Sequence, residues 1–298
     1  MTECVRCNVC ETPGEFAGAR EIGRVRCNVR AFKDAIFTFW RCSSCGSLHC
    51  REDADLDMYY RNYPVKVHAL DFWARAAYAN LLERLRRAGL RRSMSVLDFG
   101  CGPGLLVRFL AERGYASVNG YDAHVAQFSD TKILDRTYDC IISQDVIEHF
   151  DNPREFLANL VRLLSPGGML AIGTPDGAEI DLGDPERFSL SLHPPYHRHL
   201  LSAQALLAMA SQLGLEPVAQ YRRFYYDTLW PTVNYRFLRG YVRRAGNVLD
   251  AAFEPPHIWL VLTSPVLWFH ALFGYFFPPR SEMMVLFRRK VEDQVVVG

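Results

Sequence analysis

Residues 96–104 read VLDFGCGPG. A short, largely apolar strand runs into a bend carrying Gly100, Gly102 and Gly104, and LLVRFLAERG (105–114) then places its apolar positions at helical spacing. A strand that turns through glycines into a helix N-terminus offers backbone amides to a ligand, because no Cβ blocks the approach. The pattern repeats outward from this unit. ASVNGYD (116–122), YDCIIS (138–143) and GMLAIGTP (168–175) read as strands, and PREFLANLVRLL (153–164) as a helix capped by Asn152 with Pro153 at its first position. A further helix runs from the capping Ser202 to Gly214, and two late strands lie at 216–226 and 282–290. An upstream helix carries Val67, Leu70, Ala74, Leu81 and Leu85 on one face and stops at Gly89. This alternation predicts an α/β fold with a Rossmann-like, mostly parallel sheet, helices on both faces and an antiparallel last strand.

Glycine spacing alone does not name the guest, since nicotinamide and flavin enzymes present a related turn to a pyrophosphate. Asp98 discriminates. A carboxylate at the mouth of the turn repels a pyrophosphate and suits a cofactor that carries an ammonium and a sulfonium, which describes S-adenosylmethionine. The expected cofactor residues are Asp98, Gly100, Cys101, Gly102 and Gly104 in the turn. At the end of the second strand, Asp122 is placed to accept hydrogen bonds from the ribose hydroxyls and Tyr121 to flank the adenine.

With VLDFGCGPG, GYD, YDCIISQDVIEHFDNP and LLSPGGMLAIGTP in this order, the sequence resembles the class I S-adenosylmethionine-dependent methyltransferases over about residues 67–227 and the last strand. The resemblance implies that Gln144, at the end of the fourth strand, lines the cofactor. It also implies that His197, five residues before the capping Ser202 in LHPPYHRHLLS (192–202), deprotonates a hydroxyl acceptor, with His193 as a second candidate. Capping or packing on the prolines is the competing role for these histidines. Some ubiquinone-type relatives hold a divalent ion with acids and a His at the place of Asp145, Glu148 and His149, although the Glu-His pair also recurs as a structural feature. One departure stands out: only about fifteen residues separate Asp122 from TYDCIIS, too few for the helix and third strand that most family members place there. The acid that usually contacts the adenine amine is therefore unassigned, with Asp130 as the candidate.

Seven of nine cysteines fall within the first fifty residues, and the chain shows no route to an oxidising compartment. Two Cys-x-x-Cys knuckles, VRCNVC and WRCSSCG, supply the four soft ligands of tetrahedral zinc through Cys7, Cys10, Cys42 and Cys45. Cys4 and Cys7 share the spacing, so Cys4 competes with Cys10. Strand-like RVRCNVRAFKDAIFTFW (24–40) lies between the knuckles. The expectation is a zinc ribbon over 1–55 ahead of a catalytic domain over 56–298, against a bland alternative of incidental reduced cysteines.

Thirty-four Lys plus Arg against thirty-three Asp plus Glu give a net charge of +1, without the global basic excess of a generic nucleic-acid binder. RLRRAGLRR (84–92) is a local basic stretch only. No apolar leader follows Met1, which predicts a cytoplasmic chain. From Pro255 to Pro279 there is no charged residue, within an apolar helical insertion at about 230–280. Pro265 favours two short helices over one span, and the upstream arginines offer charge to phosphates of a membrane or a substrate. A lid, a peripheral membrane foot at the inner face and a dimer surface compete for this insertion. The expected activity is methylation, on oxygen first, of a small-molecule, glycan or lipid-linked acceptor. The rivals are an RNA base methyltransferase, a sugar C-methyltransferase and a non-catalytic scaffold; the sequence does not fix the oligomeric state.

Overall fold

The structure, a computed structural model, describes residues 3–10, 14–64 and 69–291. Val67, placed by periodicity on the first long helix, lies outside the described residues. The chain begins with an antiparallel meander of β1 (Glu21–Arg26), β2 (Ile36–Arg41) and β3 (Leu48–Cys50). Helices α1 (Leu56–Arg61) and α2 (Phe72–Arg87) follow, the second started by the Asp71 carboxylate, which accepts from the amide of Ala74. The αβ core then runs β4 (Val96–Phe99), α3 (Leu105–Ala111), β5 (Val118–Tyr121), β6 (Tyr138–Gln144), α4 (Pro153–Arg162) and β7 (Leu164–Pro175). A short α5 (Ser189–Leu192), β8 (His199–Leu200), α6 (Ala203–Gln212) and β9 (Leu215–Tyr221) come next. Beyond them lie α7 (Tyr235–Arg244), α8 (Ile258–Leu262), α9 (Pro265–Phe273) and β10 (Glu282–Arg289).

The large sheet has the order β5-β4-β6-β7-β10-β9. β5, β4, β6 and β7 are parallel, and β10 is antiparallel to both β7 and β9, as the patterning predicts. Its central strands are apolar on both faces because helices cover both. Leu97, Ile141 and Ile172 face Leu157, Leu160 and Leu206 on one side. Val96, Ile142 and Ala171 face Leu81, Leu85 and Phe109 on the other. The short connection after Asp122 holds two 3₁₀ turns, Ala126–Phe128 and Thr131–Asp135, so no third strand forms and β5 is the edge.

The N-terminal meander does not close on itself. β8, 150 residues downstream, pairs with β3 through Leu48–Leu200 and His49–His199 to complete a four-stranded sheet. Arg41 is buried and donates to the carbonyl oxygens of Gly46 (3.0 Å) and Gly177 (2.7 Å), while its Nε meets Glu21 at 2.8 Å. Trp40 and Cys42 sit in the same core as Leu97 and Phe156. The expected border at residue 55 is thus crossed by both a sheet and a core, because three short strands have too little apolar surface to stand alone.

Candidate active site

The site forms at the carboxyl ends of β4, β5 and β6, around a cavity of about 1150 Å³. The first bend works because its glycines adopt φ values that L side chains rarely take. Gly100 (φ +80°) lies tight against Val146, and Gly104 (φ +75°), at the start of α3, against the ring of Phe128. Gly102 has open space where a Cβ would stand. Gly100, Gly102, Tyr121 and Asp122 line the cavity. Cys101 is buried, its thiol directed at the carbonyl of Gly102 and the backbone of Gly120.

The two acids differ in environment. Asp122 is held by its chain: its Oδ2 accepts from the amide of Gly102 and its Oδ1 from that of His124, both at 2.9 Å. Each oxygen keeps lone-pair capacity for a further donor. Asp98 is buried, and among the described residues no hydrogen bond satisfies it. Burial first, and the Asp122 charge second, push its carboxyl up to about 7. Gln144 turns its amide onto β7, within reach of the Ala171 carbonyl (3.4 Å) and tight on Gly173. It is Asp145 (φ +57°) and Val146 that stand on the cavity wall beside it. Asp130 caps the second 3₁₀ turn through the amide of Lys132 (3.0 Å).

His149 also lines the cavity, and its Nδ1 meets the Tyr60 hydroxyl at 3.1 Å. Burial pushes its imidazole down to about 4. His197 packs edge-on behind it, ring centroids 4.8 Å apart. The His197 Nδ1 donates to the Ser191 carbonyl (2.7 Å), which leaves Nε2 facing Glu148 Oε1 at 3.9 Å. His193 stacks on Tyr196 at 4.6 Å, and its Nδ1 meets Asn28 Oδ1 at 2.5 Å, so both predicted histidines lie just behind the wall. Tyr60 and Tyr63, part of a stretch that patterning reads only as an aromatic linker, form that wall with His149. Their role follows from the docking of α1 against Tyr196, whose ring lies 5.2 Å from Tyr60 and 4.8 Å from Tyr63. A cluster of aromatics beside acids is the only signal of it in the sequence.

Three sets of side chains of metal-ligating type gather among the described residues. Glu148, His149 and His197 bring donor atoms within 4.8 Å of one another; this differs from the expected trio, His197 standing in the place of Asp145. Glu148 Oε2 accepts from Thr174 Oγ1 (3.0 Å), and its Oε1 is buried without a hydrogen bond among the described residues. In the meander, the thiols of Cys7, Cys10, Cys42 and Cys45 converge, with sulfur–sulfur separations of 3.6 Å (Cys7–Cys10), 3.7 Å (Cys7–Cys45) and 3.9 Å (Cys10–Cys42). Cys4 goes elsewhere and forms the third set, with His49 and His199.

A family model described as a methyltransferase domain matches residues 72–220, half of the chain. Among curated relatives, the ubiquinone biosynthesis O-methyltransferase of Rickettsia conorii is 33% identical over 100 residues, covering 27% of this chain and 35% of that protein. The mitochondrial ubiquinone biosynthesis O-methyltransferase of Dictyostelium discoideum is 30% identical over 112 residues, again 27% of this chain and 35% of that protein. The alignments span about a third to a half of the length of the curated relatives. Among solved structures, coclaurine N-methyltransferase bound to N-methylheliamine and S-adenosylhomocysteine shares 19% identity and covers 71% of each chain, with a TM-score of 0.44. From the match over half its length and the ordered strands and turns that underlie it, this chain belongs to the class I S-adenosylmethionine-dependent methyltransferase family.

Proposed function

We propose that the protein transfers the methyl group of S-adenosylmethionine to a hydroxyl oxygen of a small-molecule acceptor, lipophilic or lipid-linked. The observation that carries this reading is Asp98, a buried carboxyl with no partner of its own, at the mouth of a glycine bend where a cationic cofactor supplies the missing charge. Asp122 and Tyr121 then take the ribose and adenine. In the transfer, the acceptor oxygen forms a bond to the methyl carbon as the carbon–sulfur bond breaks, sulfur keeps the electron pair, and the hydroxyl proton leaves to a base. His149 is that base: it faces the cavity and is neutral at pH 7. His197 and His193 act behind it as positioning residues.

Calorimetry with S-adenosylmethionine, followed by transfer of labelled methyl to a panel of quinols, catechols, sugars and RNA, tests the reading. Cofactor binding with label on a hydroxyl supports it, whereas no binding at millimolar cofactor, or label on RNA alone, overturns it. Replacing His149 by Gln is expected to lower turnover by about 10²–10⁴-fold while cofactor affinity stays unchanged. A second reading is favoured by the unsatisfied Glu148 Oε1: a divalent cation at Glu148, His149 and His197 that orients the acceptor oxygen. Activity that rises on titration with Mg²⁺ or Mn²⁺, and no longer does so in Glu148→Gln, selects it.

Cys7, Cys10, Cys42 and Cys45 suit structural zinc. Bonds of about 2.3 Å in a tetrahedron set sulfurs about 3.8 Å apart, close to the separations present here. Metal analysis of purified protein should return one zinc per chain.

A further inference from the structure

The apolar insertion forms a foot rather than a covered lid. Ile258, Trp259, Leu262, Val266, Phe273 and Phe276 are all exposed, Trp259 at 76% and Phe276 at 63%. The patch continues past the helices. The loop before α7 is tied to α9 by the amide of Thr232 on the Ala271 carbonyl (3.0 Å), and Thr232 Oγ1 accepts from the indole of Trp73 (2.9 Å). Trp230, on the same loop, meets Phe72 edge-on at 5.6 Å, and Phe72, Trp73 and Trp230 are each more than half exposed. A soluble surface rarely leaves so much contiguous apolar area in water.

At the base of this foot lies a second cavity of about 340 Å³ whose walls include Arg187, Arg236, Arg239 and Arg280. Among the described residues none of these four guanidiniums pairs with a carboxylate. The one acid on the wall, Glu179, meets Arg222 at 3.3 Å. Arg236 Nε donates to the carbonyl of Phe277, so the cavity wall and the end of the foot are one piece. Between residues 228 and 281 the chain has five arginines and two acids; Glu254 pairs with the guanidinium of Arg30, and Asp250 accepts from the Arg30 backbone amide. The foot therefore presents net positive charge immediately beside its apolar face. No helix among the described residues is long and apolar enough to cross a membrane.

We propose that α8, α9 and the adjoining aromatic side chains rest in the interfacial layer of an anionic phospholipid bilayer, with a lipid phosphate held in the cavity of Arg187, Arg236, Arg239 and Arg280. Aromatic residues at the headgroup level beside unpaired arginines are the chemistry such a surface recognises. A symmetric dimer through the same face would bring two sets of arginines together, like charge against like. The inference does not rest on the methyltransferase reading, since neither the foot nor the cavity includes a cofactor residue.

Flotation of the full chain with phosphatidylcholine vesicles, with and without phosphatidylglycerol, tests it. Binding is expected to be at least about tenfold tighter to the anionic vesicles and to weaken as salt rises from about 0.1 to about 0.5 M. Trp259→Ser with Phe276→Ser should abolish it, and Arg236→Gln with Arg239→Gln should remove the preference for anionic lipid. Unchanged S-adenosylmethionine binding in both pairs shows that they fold. Equal binding to neutral vesicles, insensitive to salt, overturns the phosphate site. Absence of vesicle binding overturns the proposal, whether sedimentation then shows a dimer lost in Trp259→Ser or calorimetry shows uptake of inorganic phosphate alone.

Discussion

At Asp98, burial and a neighbouring charge work against ionisation, and the carboxyl titrates near 7 in the absence of a guest. A sulfonium and an ammonium favour its charged form, so cofactor affinity should rise between pH 5 and pH 7 as the proton leaves, with proton release on binding visible as a buffer-dependent enthalpy. Asp98→Asn should weaken binding by roughly 10–100-fold and flatten that pH dependence. Folding stability moves the other way. A carboxyl whose folded pKa is raised contributes stability below its ordinary range near 4 that is lost as pH climbs through 7. Without cofactor, Asp98→Asn should therefore be more stable than the parent at pH 8, by roughly 1–3 kcal/mol in denaturant titration. His149, pushed down to about 4, has the opposite sign: its contribution is lost as pH falls from about 6.5 to 4.

Elements in this protein carry two duties at their ends. Gly104 begins α3 in the left-handed region and lies tight on Phe128, the first 3₁₀ turn that replaces a third strand. Gly104→Ala adds both a strained φ and a clash, and should cost about 2 kcal/mol or more in stability with a matching loss of cofactor affinity. Ser202 caps α6 by accepting from the amide of Ala205 (3.1 Å) and at the same time donates to the carbonyl of Cys45 (2.7 Å). An ordinary cap is worth about 1 kcal/mol; Ser202→Ala breaks this second bond too and should cost about 2 kcal/mol in denaturant titration. The caps at Asn152 and Ser202 could be read from residue type and spacing because they are local. The side chain of Tyr60 could not, since what it touches is set by helix docking.

Over the whole molecule, the cysteine knuckles share one core with the αβ sheet, and their small sheet is completed by β8 from the downstream chain. On the proposed zinc reading, treatment with a chelator, or replacing Cys42 by Ser, should lower the melting temperature of the entire chain in a single transition; two separate transitions by calorimetry would mean an independent ribbon. The alternation of strands and helices, the glycine bend, the places of Asp98 and Asp122 at the ends of their strands, and the Cys-x-x-Cys spacing of the two knuckles were legible in the sequence, because periodicity, turn chemistry and short spacings act between near neighbours. The lack of a third strand was legible too, as a simple shortage of residues. Tertiary structure alone decided that β8 closes the N-terminal sheet and that Cys10, rather than Cys4, joins the other three thiols. It likewise decided that His149 faces the cavity with His197 behind it and that the arginines of α7 gather beneath an exposed apolar foot. These depend on contacts between residues far apart in the chain, which are set by how whole elements pack and not by any pattern within one of them.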